Sequence, residues 1–144
     1  MDYQLEDLKP WVLWEDADLL VVNKPAGVLS LPDGYDQSQP HLRSILEPVF
    51  GRLWIVHRLD RETSGAIVLA RSAKIHHLLN DQFSGRQVRK VYHALLAGSP
   101  PWDTQEIDLP LRKNGDRQHR TVIDHSHGKP ARTRITVLEL FSGY

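Results

Sequence analysis

The alternation of apolar and polar residues along the chain predicts several short strands and two helices. Strands are expected over residues 12–14, 19–24, 53–56, 66–70, 88–97, 106–109, 120–123 and 132–140. The polar segment 15–18 predicts a hairpin turn between the first two strands, and residues 30–40, rich in proline, glycine and polar side chains, predict a loop. The run at 66–70 is apolar throughout, which is typical of a strand buried on both faces.

Two segments predict helices. Residues 41–50 predict a short helix that ends or is interrupted near Pro48, because proline lacks the amide hydrogen that the helix ladder needs. Ser72 is a good N-cap for a second helix, whose apolar residues follow at helical spacing until Gly85 predicts its end. The pattern indicates an α/β or α+β fold around a mixed, mostly antiparallel sheet, and a length of 144 residues favours one domain over 1–144.

Composition narrows the class of protein. The sequence contains no cysteine, so disulfides, thiolate catalysis and zinc–sulfur sites are excluded. No apolar run approaches the roughly 18–20 residues of a membrane span, and the N-terminus is acidic where a signal peptide would be basic. We therefore expect a cytoplasmic protein without a membrane partner.

The distribution of charge is more informative than its sum of zero. Residues 1–51 hold 3 Lys and Arg against 9 Asp and Glu, residues 52–93 hold 8 against 3, and residues 94–144 hold 7 against 6. A basic middle segment can present a phosphate-binding face in a neutral protein. The alternative is that these charges only solvate the surface.

The segment 57–65 combines charged and hydroxyl side chains between two predicted core strands. Asp60 is flanked by Arg58 and Arg61, whose charges favour the ionised carboxylate, and such a group can act as nucleophile or base. Residues 63–65 add two hydroxyls and a permissive glycine that could orient it. The alternative is a structural ion pair without catalytic function.

The same segment carries a resemblance to a known family. His57-Arg58-Leu59-Asp60-Arg61-Glu62-Thr63-Ser64-Gly65 matches the H-R-L-D-x-x-T-S-G signature of the RluA-type pseudouridine synthases. Four further blocks resemble that family in the expected order: Val21-Val22-Asn23-Lys24-Pro25-Ala26-Gly27, Phe83 with Arg89-Lys90-Val91-Tyr92-His93-Ala94, Asp108-Leu109-Pro110-Leu111, and Gly128-Lys129-Pro130-Ala131-Arg132-Thr133.

The resemblance implies a pseudouridine synthase fold of the α+β class and an enzyme that isomerises uridine in rRNA or tRNA stem-loops. Uracil is detached at N1 and rejoined to the ribose through C5, without a cofactor or metal. Asp60 matches the indispensable aspartate, whose task is attack on C1′, attack on C6 of the base, or removal of a sugar proton; the sequence leaves all three open. The target nucleotide is expected to flip out of its stack, at a cost of a few kcal/mol.

The resemblance also assigns expected roles to other residues. Tyr92 matches a tyrosine that packs against the target base, the alternative being a core tyrosine with a satisfied hydroxyl. Arg58 is expected to hold the flipped nucleotide or fill the space it leaves. Further RNA contacts are expected from His57, Arg61, Thr63, Arg89 and Lys90, the last two at phosphates or simply as surface charges. Lys24 either braces the loop or only caps a turn.

Eight histidines raise the possibility of a metal site, in a hydrolase that would use Asp60. His76 and His77 are neighbours on a predicted helix and point about 100° apart, which makes a poor chelating pair. His125 and His127 lie in a polar turn without an obvious third ligand. We therefore expect no metal.

One block of the family is absent from these residues. The family continues to G-R-[TS]-H-Q-[IL]-R, whose basic residue pairs with the catalytic aspartate, and no stretch of this sequence matches it. We therefore expect the N-terminal two-thirds of the catalytic domain of a compact member without an N-terminal RNA-binding domain. Such a chain should have little activity by itself and an exposed sheet edge that favours association, whereas the full-length protein should be a monomer. A catalytically inactive RNA-binding module of the same fold is the alternative.

Overall fold

The computed structural model describes residues 3–118 and 120–141. These residues fall into two compact units, one that extends to Val91 and one that begins at Tyr92. The single catalytic domain over residues 1–144 stays a prediction.

The first unit is built on a four-stranded antiparallel sheet in the order β1-β2-β4-β3. Its elements are α1 (Leu5–Leu8), a 3-10 turn (Lys9–Trp11), β1 (Val12–Glu15), β2 (Leu19–Lys24), α2 (Leu42–Phe50), β3 (Trp54–Ile55), β4 (Gly65–Ala70) and α3 (Ala73–Ser84). The hairpin between β1 and β2 is confirmed. Asp16 closes its turn by accepting the backbone N–H groups of Asp18 and Leu19 at 2.8 and 2.7 Å.

The core of this unit lies where α1, α2, β2 and β4 meet. Alternate residues of β2 and β4 and helically spaced residues of α2 join one buried cluster, formed by Leu8, Leu20, Val22, Leu42, Ile45, Leu46, Phe50, Leu53, Ile67 and Leu69. The expectation that β4 is buried on both faces holds only in part. Ile67, Leu69 and Ala70 are buried, but Ala66 is exposed and Val68 is half-buried. An uninterrupted apolar run does not by itself show how much of the second face is covered.

Helix α2 begins as predicted but does not stop at Pro48. His41 and Ser44 cap its start reciprocally, since the His41 imidazole accepts the Ser44 N–H and the Ser44 hydroxyl accepts the His41 N–H. The helix continues through Pro48 to Phe50 and ends at Gly51, where φ is +75°. The missing amide hydrogen of Pro48 is tolerated because burial of the apolar face, Phe50 included, holds the last turn.

Both predicted ends of α3 are confirmed, the second for an unexpected reason. The Ser72 hydroxyl accepts the N–H of Ile75 at 3.3 Å. At the other end Gly85 has an ordinary negative φ, and the left-handed residue is Arg86, at φ +55°. Gln87 N–H bonds to the Gln82 carbonyl at 2.9 Å and closes the helix end. Gly85 is needed for space, because a Cβ there would lie 2.9 Å from the Asp81 carbonyl oxygen.

The second unit consists of two antiparallel ribbons. The strands β5 (Thr104–Asp108) and β8 (Arg132–Thr136) form one ribbon, and β6 (Leu111–Arg112) and β7 (Val122–Ile123) form the other. Strand β8 is shorter than predicted because its partner β5 offers only five residues for pairing. The predicted strand at 120–123 is similarly reduced to the pair that β6 can bond.

The strand predicted over residues 88–97 is wrong. The structure gives this segment no regular secondary structure, and Val91, Tyr92, Leu95 and Leu96 are exposed. Its residues do alternate with the period of a strand. A strand also needs a partner strand for its backbone hydrogen bonds, and no described strand pairs with this segment. Among the described helices, none is long and apolar enough to cross a membrane.

Candidate functional site

The loop from His57 to Thr63 connects β3 with β4 and carries the charged segment. His57 holds its start: Nε2 accepts the backbone N–H of Val68 at 3.1 Å, just beyond the last β3–β4 residue pair, Ile55 and Leu69. The imidazole therefore extends the hydrogen-bond ladder in place of a backbone carbonyl.

The surroundings of His57 favour its neutral ring. Its imidazole stacks on Phe83 of α3, with centroids 4.6 Å apart and planes inclined by 16°. Burial lowers the pKa of His57, and the charge of Lys90 lowers it further. Because Nε2 accepts a hydrogen bond, the neutral ring carries its proton on Nδ1.

Lys24, the last residue of β2, is fully buried beneath this loop. Its Nζ donates to the carbonyl oxygens of Pro25 at 3.0 Å, Val28 at 2.8 Å and Arg61 at 3.1 Å. Burial lowers the pKa of Lys24, while the nearby carboxylates of Glu62 and Asp60 act in the opposite direction. Lys24 thus caps its own turn and also braces the loop, two roles that the sequence alone left as alternatives.

Ser30 is a bracing residue that sequence reasoning missed. The residue is 4% exposed, and its hydroxyl donates to the Leu59 carbonyl at 2.7 Å while accepting the Leu59 N–H at 3.1 Å. Lys24 and Ser30 are the two buried polar residues in the part of the chain that the structure describes. They bond the backbone at residues 61 and 59, one on each side of Asp60. A serine within the apolar run 28–31 was the only signal available in the sequence.

Asp60 lies on a turn whose backbone is fixed while its side chain remains open. The Thr63 N–H donates to the Asp60 carbonyl at 3.1 Å, and the Asp60 side chain is 83% exposed. Arg58 approaches it with Nη2 at 3.5 Å from Oδ1, at the long end of the hydrogen-bond range. Two exposed ions at this distance interact weakly, so the carboxylate is accessible to a ligand.

Arg61 ties the loop to the turn after β2. Its Nε donates to the Gly27 carbonyl at 3.2 Å, and the Gly27 N–H donates to the Arg61 carbonyl at 2.8 Å. Gly27 has φ +87°, a conformation that favours glycine. The backbones of the two loops are therefore joined at several points.

A cleft of about 210 Å³ opens between the segment 29–34 and the Asp60 loop. Residues 29–34 form one wall, and Arg58, Leu59 and Arg61 form the other. Asp60 is not among the lining residues, although both of its chain neighbours are.

The structure brings most of the predicted site residues to one loop. Arg58, Asp60, Arg61 and Thr63 share the turn, and His57 anchors its start. Lys90 lies at the edge of the same region, with Nζ 5.9 Å from the centroid of the Phe83 ring on which His57 stacks. Arg89 precedes it and is exposed. Tyr92 is 58% exposed and is the first residue of the second unit, so its expected contact with the target base stays a prediction.

The histidines do not gather into a metal site in the described ranges 3–118 and 120–141. No three His, Asp or Glu side chains converge there in a way that could hold an ion. His76 instead lies near the Ile55 carbonyl and Asn80, with Nε2 at 3.3 and 3.0 Å from its partners. The independence from metal stays a prediction.

The sequence is similar to known proteins along most of its length. A family model described as RNA pseudouridylate synthase matches residues 18–143. The chain is 36% identical over 130 residues to the dual-specificity RNA pseudouridine synthase RluA of Vibrio vulnificus, covering 89% of this chain and 52% of the relative. It is 33% identical over 133 residues to RluA of Escherichia coli K12, covering 91% and 61% respectively. An uncharacterized RNA pseudouridine synthase of Zymomonas mobilis is 41% identical over 133 residues, with 88% and 59% covered.

Solved structures give the same result for the fold. Human RNA pseudouridylate synthase domain containing 1 superposes with a TM-score of 0.72 at 30% identity, covering 89% of this chain and 51% of that one. Human RNA pseudouridylate synthase domain containing 4 superposes with a TM-score of 0.63 at 23% identity. These similarities confirm the fold expected from the sequence. The chain spans only about half the length of its relatives, between 52% and 61% of the three named above.

Proposed function

The chain belongs to the RNA pseudouridylate synthase family, and on that premise we propose that it carries the catalytic loop of an enzyme that converts uridine in RNA to pseudouridine. The observation that supports this proposal most directly is that the side chain of Asp60 is exposed while its backbone is held in place. Its carboxylate is 83% exposed, yet buried Ser30 and Lys24 hold the backbone on both sides of it. A carboxylate held in this way can meet a substrate without first ordering its own loop.

Asp60 is the proposed catalytic residue. The reaction breaks the bond between N1 of uracil and C1′ of ribose and forms one between C5 and C1′, while C5 loses its proton to water and N1 takes up a proton. Attack of the carboxylate on C1′, attack on C6 and removal of a sugar proton remain three possible routes. Each needs an anionic oxygen beside the glycosidic bond, which an exposed aspartate on a fixed turn can supply.

The target uridine would have to leave its stack to reach Asp60. Arg58 is exposed and only 3.5 Å from Asp60, which supports its proposed role of holding the flipped nucleotide or filling its place. Tyr92 is proposed to stack on the target base. Arg61, Thr63, Arg89 and Lys90 are proposed RNA contacts. His57 was expected to contact RNA too, but its bond to Val68 and its stack on Phe83 favour a role in holding the loop.

The proposed substrates are stem-loops of rRNA or tRNA, and the proposed reaction uses no cofactor or metal. Three relatives named RluA or RNA pseudouridine synthase support the substrate class. Dual specificity is stated in the full names of the two RluA proteins and is a property of those proteins. For this chain, action on both rRNA and tRNA is a proposal. We also propose a cytoplasmic location and, for the full-length protein, a monomer.

Tritium release tests the proposed reaction. Total tRNA and rRNA carrying tritium at C5 of uridine would be incubated with the chain, with Asp60→Asn as the matched variant that keeps the side-chain shape and removes its charge. Release to water that is lost in Asp60→Asn supports the proposal. Undiminished release in the variant contradicts the role of Asp60.

A second candidate is an RNA-binding module without catalysis. The observation that favours it is the charge of residues 52–93, whose 8 Lys and Arg against 3 Asp and Glu can bind phosphates whether or not the family's later G-R-[TS]-H-Q-[IL]-R block is present. RNA binding that survives Asp60→Asn, together with no tritium release by the wild-type chain, would support this function. The same assay on a chain extended through that block would then show whether catalysis needs it.

A further inference from the structure

We propose that the cleft between residues 29–34 and the Asp60 loop binds one unpaired base of the RNA next to the target uridine, and that Asp33 selects a base with an exocyclic amino group. This inference rests on the proposed function and extends it from the reaction to the choice of sequence. It concerns a different surface from the open side of Asp60, because Asp60 does not line the cleft.

The cleft has a size that suits one base. Its volume is about 210 Å³, below the range of about 300–1,000 Å³ for sites that enclose drug-sized ligands. Leu31 lines it and is 42% exposed, so an apolar surface is available to the face of a base. Leu59 and Arg61, the chain neighbours of Asp60, also line it. A base bound there would therefore be a near neighbour of a nucleotide held at Asp60.

Asp33 presents a carboxylate that its own loop holds in place. Oδ1 accepts the backbone N–H of Tyr35 at 2.7 Å and that of Asp36 at 2.9 Å. The bond from Asp36 and then the bond from Tyr35 lower the pKa of Asp33, so this carboxylate is ionised at neutral pH. Within the described residues no donor is bonded to the second oxygen, Oδ2. One oxygen thus fixes the side chain and the other can accept a hydrogen bond from a ligand.

The combination of charges in the cleft fits a base better than a phosphate. Arg58 and Arg61 on one wall offer only donors, and Asp33 on the other offers only acceptors. Cytosine, adenine and guanine each carry an amino group that can donate to a carboxylate, together with ring or carbonyl acceptors for a guanidinium. Uracil has no amino group, and its one base-edge donor, N3–H, lies between two carbonyl oxygens that would repel the carboxylate. A phosphate would likewise be repelled by Asp33. Unpaired bases of RNA loops are commonly read on these edges.

Binding measurements with a matched pair of variants test this inference. The probes are four fluorescein-labelled hairpin RNAs with the same stem, whose loops place the target uridine at the centre and flank it on both sides by A, C, G or U. Asp33→Asn retains Oδ1 for the two backbone N–H groups and converts Oδ2 into a donor. Asp36→Asn is the control: it removes the same charge from the same loop, but its carboxylate is bonded to Ser38 and Gln39 and does not line the cleft.

We expect the wild-type chain to bind at least one of the A-, C- and G-flanked loops about fivefold or more tighter than the U-flanked loop. Asp33→Asn should abolish or reverse this preference, because its amide can donate to the uracil O4 oxygen, whereas Asp36→Asn should keep it. A wild-type preference that Asp33→Asn leaves unchanged, or that Asp36→Asn alters equally, refutes the role of Asp33, while the proposed function is decided separately by tritium release from wild type and Asp60→Asn. Absence of binding to all four hairpins would contradict both.

Discussion

Replacing Ser30 by alanine would remove the hydroxyl that bonds both backbone groups of Leu59. The N–H loses its acceptor at 3.1 Å and the carbonyl loses its donor at 2.7 Å. Leu59 is 7% exposed, so water has little access to replace them. Each orphaned buried group costs about 1–3 kcal/mol. The carbonyl can relax toward other donors, so we expect a total loss of about 2–4 kcal/mol, a large part of the about 5–15 kcal/mol of a typical domain.

Urea denaturation followed by circular dichroism measures this loss. Ser72→Ala is the matched control, because its hydroxyl caps α3 through a bond to Ile75 and, within the described residues, makes no hydrogen bond to the Asp60 loop. That variant should lose about 1 kcal/mol. Ser30→Thr, which keeps the hydroxyl, should retain more stability than Ser30→Ala, provided the buried site accommodates the added methyl group.

Hydrogen exchange then separates loosening of the loop from general destabilisation. In Ser30→Ala the amides of residues 59–63 should exchange faster than the fall in global stability explains. Local opening of the loop in this variant no longer has to break the two hydrogen bonds of Ser30 and therefore costs less free energy. In Ser72→Ala these amides should follow global stability alone. A stability loss in Ser30→Ala no greater than in Ser72→Ala, with unchanged exchange at 59–63, would refute the view that Ser30 fixes the turn that carries Asp60.

Three further changes test the same structural reasoning by urea denaturation. Lys24→Met removes the Nζ donor from three carbonyl oxygens, of which, among the described residues, only that of Arg61 keeps another, the Gly27 N–H, and should cost about 2–4 kcal/mol. The pKa of His57 is lower in the folded than in the unfolded chain, so the unfolded chain takes up the proton first as pH falls. The contribution of His57 to folding stability is therefore fully present above the unfolded pKa of about 6.5 and is lost as pH drops through the folded pKa. His57→Gln should flatten this pH dependence. His41, whose pKa burial also lowers, contributes a remaining slope. Arg86→Gly should stabilise α3 by about 1 kcal/mol by relieving its left-handed backbone, whereas Arg86→Ala should give no gain.

Short-range signals in the sequence were sufficient to predict much of the secondary structure of the first unit. The hairpin of β1 and β2 and the Ser72 cap depend on residues close in sequence, and both are confirmed; the position of strand β4 is confirmed too, but its burial on both faces holds only in part. The sequence motif around Asp60 lies on the loop between β3 and β4, and the roles of its residues stay predictions. Rules based on single residues were less reliable where packing against other parts of the chain decides whether an element forms or continues. Pro48 is tolerated because its helix is held by buried side chains.

Long-range contacts account for what sequence reasoning missed. Ser30 bonds a backbone 29 residues away, and Lys24 reaches a carbonyl 37 residues away. Nothing in the spacing of either residue indicates its partner. Segment 88–97 shows the opposite failure: its alternation has the period of a strand, but strand formation depends on a partner that the described residues do not provide.

The positions of buried residues explain why the geometry around Asp60 depends on the first unit. Every fully buried residue among those described lies between Leu8 and Ala70, and none lies in 92–118 or 120–141. The groups that brace the Asp60 loop, Lys24 and Ser30, belong to that buried set. The turn therefore derives its shape from the core of β2, β4 and α2. The second unit has no buried core in its described part, and its Leu95, Leu138 and Leu140 are exposed. The placement of Asp60, the proposed catalytic residue, thus depends on the buried residues of the first unit rather than on the described part of the second.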